Sequence, residues 1–271
     1  MSGSEIKEDV KRYYAAIAEQ FGGKSNSSCC TTSCSCHDTD VAQLADDYSS
    51  QPGYVPEADL GLGCGIPVDI AGIKQGDTVV DLGSGAGNDV FIARHLVGER
   101  GHVIGVDMTE AMIQKANANK QKLGLGNIEF RLGEIEDLPV GSSTADVVIS
   151  NCVLNLVPSK EKAFAEIFRV LKPGGHFSIS DVVLQGELPA SIAADVAMYA
   201  ACVAGALQRE DYLSKIRQTG FSSVEVKREK MTPIPQEILA RYVHTDQAAQ
   251  FSIWSITVVG TKEPQDRNGR V

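Results

Sequence analysis

Short apolar strands alternate with helical stretches from residue 78 to residue 182, and this alternation limits the chain to few folds. The predicted strands are Thr78–Leu82, His102–Asp107, Ile128–Leu132, Ala145–Ser150 and His176–Val182, and the predicted helices between them cover residues 88–97, 110–123 and 160–171. Apolar strands separated by helices form a parallel sheet with helices on both faces. Two further strands, Ser223–Lys227 and Phe251–Thr261, follow. We therefore predict an α/β fold with a doubly wound, mostly parallel, seven-stranded sheet.

The segments outside this alternation divide the chain into four parts. Residues 1–50 hold an amphipathic helix and a cysteine-rich loop, residues 51–185 the core, residues 186–262 a substrate-binding insertion with the last strands, and residues 263–271 a polar tail. Apolar side chains at helical spacing predict the first helix over residues 4–20. In the third part, the alanine-rich residues 190–207 are predicted as one inserted helix and residues 209–219 as another.

Composition excludes several classes of function. The chain has 271 residues and a net charge of -10 at pH 7, whereas phosphate binding needs a basic face. Its apolar runs fall short of the roughly 20 residues that span a bilayer, and the polar residues 1–11 lack a signal-peptide core. We expect a monomeric cytoplasmic enzyme or binding protein that binds neither nucleic acid nor membrane.

Seven cysteines are unevenly placed along the chain. Four are clustered before His37, namely Cys29, Cys30, Cys34 and Cys36, and three are isolated, namely Cys64, Cys152 and Cys202. An odd number without a secretion signal argues against a structural disulfide framework and favours thiol chemistry or metal binding. For the cluster, a zinc or copper site and a regulatory disulfide both remain open.

A glycine-rich turn follows the first predicted strand and reads Asp81-Leu82-Gly83-Ser84-Gly85-Ala86-Gly87. Glycines let the backbone turn tightly and approach a ligand at the carboxyl edge of the sheet. Asp107 ends the second strand, where an acidic residue can hold ribose hydroxyls. The dinucleotide fingerprint G-x-G-x-x-G does not fit, because its third glycine would fall at Asn88.

This turn, with Met108 after Asp107, the loop Gly133–Pro139 and the stretch Arg169–Gly175, resembles the class I S-adenosylmethionine-dependent methyltransferases. The resemblance implies their seven-stranded, Rossmann-like sheet and S-adenosylmethionine as the cofactor. The residues it implies for cofactor binding are Asp81, Gly83, Ser84, Gly85, Asp107, Met108, Glu134, Ile135 and Asn151. Among them Glu134 would read the adenine amino group.

Four further stretches resemble one family within that class, the arsenite methyltransferases: Leu60–Pro67, Leu132–Glu136, Ser150–Leu156 and Cys202–Ala206. Tyr13-Tyr14 in the first helix does so as well. The resemblance implies arsenic detoxification, in which Cys64, Cys152 and Cys202 hold trivalent arsenic and are the catalytic residues. A thiol reductant of the glutathione or thioredoxin type would return the methylated, oxidised arsenic to the trivalent state, and Cys29, Cys30, Cys34 and Cys36 are the redox candidates.

The chemistry of the residues supports the three cysteines as ligands of arsenic, and it also leaves other functions open. Thiolates select soft ions, and Cys152 follows the fourth strand at the edge where ligands bind. Cys202 would share a face of the inserted helix with Asp195, Met198 and Ala206. A single cysteine, however, is most often a small buried hydrophobe. The alternatives are a C- or O-methyltransferase of the quinone or sterol type, and a metalloid sensor or sequestering protein.

A first prediction concerns the clustered cysteines. If they recycle oxidised product, replacing Cys29, Cys30, Cys34 and Cys36 by serine should leave arsenite binding unchanged and slow repeated turnover of inorganic arsenite. The rate is measured with a thioredoxin-type reductant, and arsenite binding by equilibrium dialysis is the control. An undiminished rate would assign the cluster a dispensable or zinc-binding role.

Overall fold

The computed structural model describes residues 3–20, 46–193, 195, 198–199, 202–234, 239, 241 and 251–264. An amphipathic helix, α1 (Gly3–Gln20), comes first. The elements after it are β1 (Thr78–Leu82), α2 (Asn88–Val97), β2 (His102–Asp107), α3 (Glu110–Leu123), β3 (Ile128–Leu132), β4 (Ala145–Asn151), α4 (Lys160–Val170), β5 (Leu171–Gly186), α5 (Ala190–Ala193), α6 (Arg209–Gln218), β6 (Ser222–Met231) and β7 (Phe251–Thr261).

The seven strands form one sheet in the order β3-β2-β1-β4-β5-β7-β6. The strands β1 to β5 pair in parallel, whereas β7 lies antiparallel between β5 and β6. This arrangement confirms the predicted doubly wound, seven-stranded fold. The order reverses at β1, whose Leu82 lies beside Val106 of β2 and Ser150 of β4. Asp107 and Asn151, one residue further on, therefore reach the same edge of the sheet.

Apolar side chains on alternate positions of the inner strands build two cores. On one face Val80 and Val148 pack with Phe164 of α4 and Tyr212 of α6. On the other face Val79 and Val147 pack with α2 and with Tyr48. A parallel strand covered on both faces is apolar along its length. This explains why runs of apolar residues in the sequence predict these strands.

Two strands are longer than predicted. The prediction for the fifth strand was His176–Val182, but β5 runs to Gly186 because β7 pairs with it from His176↔Thr261 to Gly186↔Phe251. The sixth strand extends to Met231 for the same reason, since β7 lies on its inner side. Antiparallel pairing supplies backbone hydrogen bonds at the ends of both strands, where the sequence pattern of apolar residues no longer indicates a strand.

The single inserted helix predicted over residues 190–207 is wrong. The first helical segment is α5 (Ala190–Ala193), and Cys202 lies in a turn with φ of 64° rather than on a helix. The carbonyl of Met198 accepts from the amides of both Val203 and Ala204, which ends the helical turn there. Ala206 consequently does not share a helical face with Cys202.

In the described ranges, no helix combines the length and the apolarity needed to cross a membrane.

Candidate active site

A cavity of about 310 Å³ opens at the carboxyl edge of the sheet, beside the point where the strand order reverses. Its walls come from the glycine turn after β1, the ends of β2 and β4, and α1. Open α/β sheets place their ligands at this location. All nine residues predicted to bind a cofactor line it, namely Asp81, Gly83, Ser84, Gly85, Asp107, Met108, Glu134, Ile135 and Asn151.

The turn after β1 needs glycine for conformation and for space. Gly83, Gly85 and Gly87 have φ of 67°, 51° and 99°, in the left-handed region that other residues adopt at a cost. The amides of Gly83 and Ser84 both donate to the carbonyl of Val106, which fastens the turn to β2. A Cβ at Gly83 would lie 2.5 Å from Val153. The backbone of this turn therefore faces the cavity without side chains at its glycines.

Asp107 is held with both carboxylate oxygens in place. Its Oδ2 accepts from the amide of Gly85 at 2.9 Å and its Oδ1 from the amide of Thr109 at 2.8 Å. Burial raises the pKa of Asp107, and these two hydrogen bonds oppose the rise. Each oxygen retains a lone pair, so the side chain can accept hydrogen bonds from a ligand's hydroxyl groups.

Two more carboxyl groups lie next to the cavity. Burial raises the pKa of Asp81 well above its usual value, and the charges of Asp89 and Asp107 raise it further. The pKa of Asp89 is raised to about 7 by burial. Burial thus favours the neutral form of these groups, and a cation bound beside them would favour the ionised form instead.

Helix α1 covers the cavity and is tied to the loop after β3. Lys7 forms ion pairs with Glu136 and, at 2.6 Å, with Glu134. The hydrogen bond from Lys7 lowers the pKa of Glu134. Lys11 of the same helix pairs with the other carboxylate oxygen of Glu134 at 3.7 Å. Glu134, for which the family resemblance implies contact with the adenine amino group, thus has both oxygens paired with α1. Tyr14 and Ile17 of the same helix line the cavity and bring it an apolar face.

The three isolated cysteines lie together beside this cavity: Cys152 and Cys202 line it, and Cys64 contacts the Cys152 thiol. Cys64, Cys152 and Cys202 are 1%, 7% and 3% exposed, and all are free thiols. Cys152 lies between the other two: the Sγ of Cys202 donates to its carbonyl oxygen at 2.8 Å, and its own thiol bonds with those of Cys64 and Cys202. These contacts, with burial, raise the pKa of Cys152 well above its usual value, so its thiol stays protonated at neutral pH.

The backbone at Cys152 and Cys202 is unusual. Their φ angles of 59° and 64° place both in the left-handed region, which few residues other than glycine occupy. The amide of Cys152 bonds to the carbonyl of Ser180 at 2.7 Å, which holds this conformation. Such conformations persist where the surroundings enforce them, often at functional sites.

Sequence reasoning missed a buried aspartate among the thiols. A carboxylate oxygen of Asp181 and the Sγ atoms of Cys64 and Cys152 all lie within 4.8 Å of one another. Asp181 is fully buried, accepts from the amide of Val182 at 2.9 Å and from the hydroxyl of Tyr212 at 3.2 Å, and burial raises its pKa to about 7. The available signal was an aspartate directly before the apolar residues Val182, Val183 and Leu184 of a predicted inner strand.

The cysteine cluster at residues 29–36, with His37, lies outside the described residues.

Comparison with known proteins agrees with this geometry. The matching family model is described as a methyltransferase domain and covers residues 73–230. An arsenite methyltransferase of Halobacterium salinarum is 43% identical over 234 residues, 82% of this chain and 59% of that protein. An arsenite methyltransferase of Aquipseudomonas alcaligenes is 32% identical over 251 residues, 87% of this chain and 67% of that protein.

A solved structure, that of the arsenic(III) S-adenosylmethionine methyltransferase CrArsM from Chlamydomonas reinhardtii, is similar to this chain with a TM-score of 0.66 and 39% identity. The similarity covers 75% of this chain and 68% of that one.

The glycine-lined cavity at the switch point of a 3-2-1-4-5-7-6 sheet and the matching family model define a methyltransferase domain, and the chain belongs to that family. Within it, the chain belongs with the arsenite methyltransferases as a homologue. It spans 59% of the length of the archaeal relative.

A second prediction follows from the buried carboxyl groups. Asp181 and Asp89 have pKa values of about 7 in the folded chain, above the ordinary 3.8, so the unfolded chain releases their protons first as pH rises. The free energy of unfolding should therefore fall between pH 5 and pH 8, by at most about 3 kcal/mol per group. Urea unfolding at the two pH values measures the fall.

The matched variants are Asp181→Asn and Asp211→Asn, the latter at an exposed position of α6. Asp181→Asn should show a smaller loss between pH 5 and pH 8 than the wild type, whereas Asp211→Asn should lose as much as the wild type. Equal losses in all three proteins would show that Asp181 does not ionise in this range.

Proposed function

We propose that this chain transfers methyl groups from S-adenosylmethionine to trivalent arsenic that is bound by Cys64, Cys152 and Cys202. One observation supports this most strongly. Three buried cysteines from three separate segments meet at the Cys152 thiol, and two of them, Cys152 and Cys202, line the cavity that the glycine turn and Asp107 also line. Since isolated buried cysteines are usually scattered hydrophobes, their convergence at a cavity calls for a thiophilic ligand.

The cavity wall fits S-adenosylmethionine by its chemistry. Asp107 offers lone pairs to ribose hydroxyls, the bare turn at Gly83 and Gly85 admits close approach of the ligand, and Met108 and Ile135 supply apolar surface for adenine. A positively charged sulfonium beside Asp81 and Asp89 would lower the pKa of both groups and be stabilised by the carboxylates that result. When bound, this cofactor supplies an electrophilic methyl group that leaves behind a neutral thioether.

The thiols fit trivalent arsenic. Arsenite, As(OH)3, exchanges each hydroxyl for a sulfur: an arsenic–sulfur bond forms, and the thiol proton leaves with the hydroxyl as water. The raised pKa values of Cys64 and Cys152 are compatible with this exchange, because it consumes the thiol protons. Three sulfurs leave the arsenic lone pair free on the fourth side, where an in-line attack on a methyl group needs no general base.

Cys202 has to move for this to occur. The described ligand atoms within 4.8 Å of one another belong to Cys64, Cys152 and Asp181, so the sulfur of Cys202 lies outside that group. Its Sγ donates to the carbonyl of Cys152. The Cys152 thiol bonds with the thiols of both other cysteines, so Cys152 is the sulfur around which we propose the arsenic site closes.

After transfer, the arsenic is formally pentavalent and needs two electrons to return to the trivalent state. A thiol pair can supply them by forming a disulfide. We propose a glutathione- or thioredoxin-type reductant for this step, with Cys29, Cys30, Cys34 and Cys36 as the internal candidates.

Two rival functions are separated from this one by measurement. A quinone- or sterol-type methyltransferase would leave the thiols without a role, and a metalloid sensor would bind arsenite without consuming S-adenosylmethionine. The deciding experiment incubates the chain with arsenite, S-adenosylmethionine and a thiol, and separates the arsenic species by chromatography. Methylated arsenic supports the proposal, and arsenite that is bound but not methylated supports a sensor. If arsenite is neither bound nor methylated, the result supports the quinone-type enzyme.

A third prediction concerns the cofactor wall. Asp107→Ala removes the acceptor of the ribose hydroxyls, and charge-assisted hydrogen bonds of this kind are worth about 1.5–3 kcal/mol. Affinity for S-adenosylmethionine should therefore fall by roughly one to two decades, while arsenite affinity changes little. Calorimetric titration measures the first quantity and equilibrium dialysis the second. An unchanged affinity for S-adenosylmethionine would remove Asp107 from the cofactor site.

A fourth prediction concerns Cys152, the central thiol. Cys152→Ser keeps the size of the side chain but replaces a soft ligand with a hard one. The variant should lose about 1 kcal/mol of stability or less, bind S-adenosylmethionine as before, and neither bind nor methylate arsenite. Thermal unfolding, calorimetry and arsenic speciation test the three parts.

Cys64→Ser and Cys202→Ser are the comparison variants for Cys152→Ser. A monomethylated arsenical has two exchangeable positions, so each of these variants should retain some activity on it. Near-native arsenite methylation by Cys152→Ser would show that the arsenic site is elsewhere.

A further inference from the structure

Asn155 is a buried asparagine that joins the turn of Cys202 to the sheet. It lies in the short 3₁₀ turn Leu154–Leu156 after β4 and is 0% exposed. Its Nδ2 donates to the carbonyl of Val182 in β5 at 2.7 Å and to the carbonyl of Cys202 at 3.3 Å. One side chain thus connects an inner strand to the backbone of a thiol that lines the cavity.

Hydrogen-bond accounting fixes the orientation of this amide. An asparagine Nδ2 carries two hydrogens, and here one goes to Val182 and the other to Cys202. The Oδ1 of Asn155 has no hydrogen-bond partner among the described residues. Turning the amide over would set Oδ1 against two carbonyl oxygens, so the two donated bonds decide how the side chain lies.

The turn of Cys202 needs support because its conformation is strained. Its φ of 64° lies in the left-handed region, which a residue with a side chain keeps only where the surroundings enforce it. Within the turn, the amide of Cys202 donates to the carbonyl of Tyr199 at 2.9 Å. From outside the turn, the Nδ2 of Asn155 binds the carbonyl of Cys202. Both backbone polar groups of Cys202 are therefore held, and Asn155 supplies the contact that anchors them to the rest of the fold.

Two neighbouring contacts place the same turn against the segment that carries Asn155. A Cβ at Gly205 would lie 2.1 Å from the carbonyl oxygen of Asn155, so the chain passes there at a distance that only glycine allows. The hydroxyl of Tyr199 donates to the carbonyl of Leu156 at 3.3 Å. The turn therefore packs directly on residues 154–156, within reach of the Asn155 side chain.

The backbone of Asn155 is itself fixed. The Nζ of Lys160, a residue that is 8% exposed, donates to the carbonyls of Asn155 at 3.4 Å and of Val157 at 3.3 Å. The amide of Asn155 hydrogen-bonds to the carboxyl group of Asp181. Since both of its backbone polar groups are bound, Asn155 extends its side chain toward Cys202 from a fixed position.

We propose that Asn155 is a positioning residue that holds the Cys202 turn in its left-handed conformation, so that the Cys202 thiol stays at the cavity beside Cys152. In that position the Sγ of Cys202 donates to the carbonyl of Cys152 at 2.8 Å. The consequence for arsenic rests on the proposed function, whereas the holding of the turn does not. Asn155 acts through the backbone of Cys202 and is not itself a ligand.

The test measures the reactivity of Cys202 in the full chain, which requires no assumption about the substrate. Asn155→Ala removes both donated bonds, so the turn can leave its strained conformation and free the thiol. Iodoacetamide alkylates accessible thiols, and mass spectrometry of the digested chain gives the rate at each cysteine separately. Cys64 is the internal reference, because it is 1% exposed and its backbone is bonded to Asn151 and Ser255 instead.

Asn127→Ala is the matched control variant. The Nδ2 of Asn127 also donates to two backbone carbonyls, those of Gly98 at 2.9 Å and Gly101 at 2.8 Å. These residues precede β2 and β3, at the opposite edge of the sheet from the cavity. The control therefore loses the same pair of bonds without affecting the Cys202 turn.

We expect Asn155→Ala to raise the alkylation rate of Cys202 about tenfold, the effect of losing one buried hydrogen bond, and to leave that of Cys64 within about twofold. KM for arsenite should rise by a similar factor, while the affinity for S-adenosylmethionine stays within about twofold. Asn127→Ala should leave all four quantities unchanged. An unchanged alkylation rate of Cys202 in Asn155→Ala overturns the proposal, as does an equal rise at Cys202 and Cys64.

Asn155→Ser serves as the second variant if Asn155→Ala does not fold by circular dichroism. Its hydroxyl ends one bond short of the Nδ2 position, so the bond to Cys202 is lost, and an unchanged alkylation rate of Cys202 would again overturn the proposal. Failure of the proposed function appears differently. If the unmodified chain does not methylate arsenite but Asn155→Ala exposes Cys202, the positioning role stands and the arsenite assignment falls.

Discussion

Parallel pairing of β1 with β2 and β4 is the constraint on which the site depends. It brings the ends of three strands to one edge, so that the turn after Leu82, Asp107 and Asn151–Cys152 surround a single cavity. Nothing in the side chains alone would assemble groups so distant in sequence. The apolar faces that bury this sheet thus also set the distances within the site.

The electrostatics of the cavity suit the two ligands proposed for it. One is a neutral substrate that becomes bound through sulfur, and the other is a cationic cofactor. Buried carboxyl groups and thiols share a small volume, and burial favours the neutral form of each. Three free thiolates beside Asp181 would repel one another strongly. The proposed exchange of arsenite hydroxyls for sulfur would avoid that state, because every negative charge that sulfur acquires would be shared at once with arsenic and every proton would leave in water.

Much of the fold and cavity wall could be predicted from the sequence because their signals are local. Strand periodicity, the glycine turn and Asp107 lie within one stretch and determine conformation by themselves. The turn at Cys202 could not be predicted, since it depends on two amides sharing the carbonyl of Met198. The Asn151 to Cys64 bond joins residues 87 apart in the chain, and Asp181 acquires its setting only when β5 is packed. A pattern of residue types carries no record of such contacts.

The fold holds the backbone of all three cysteines, and this limits how a three-sulfur site could form. The amide of Cys64 bonds to Asn151 and its carbonyl to Ser255, and the amide of Cys152 bonds to the carbonyl of Ser180. Cys202 is bound in the same way, since its amide donates to the carbonyl of Tyr199 at 2.9 Å and its carbonyl accepts from the side-chain amide of Asn155 at 3.3 Å. The Cys152 thiol bonds with the thiols of both other cysteines and is therefore the centre of the group. Gathering the three sulfurs around one arsenic atom, as proposed, therefore calls for rotation about side-chain bonds rather than for breaking the backbone hydrogen bonds that position these residues.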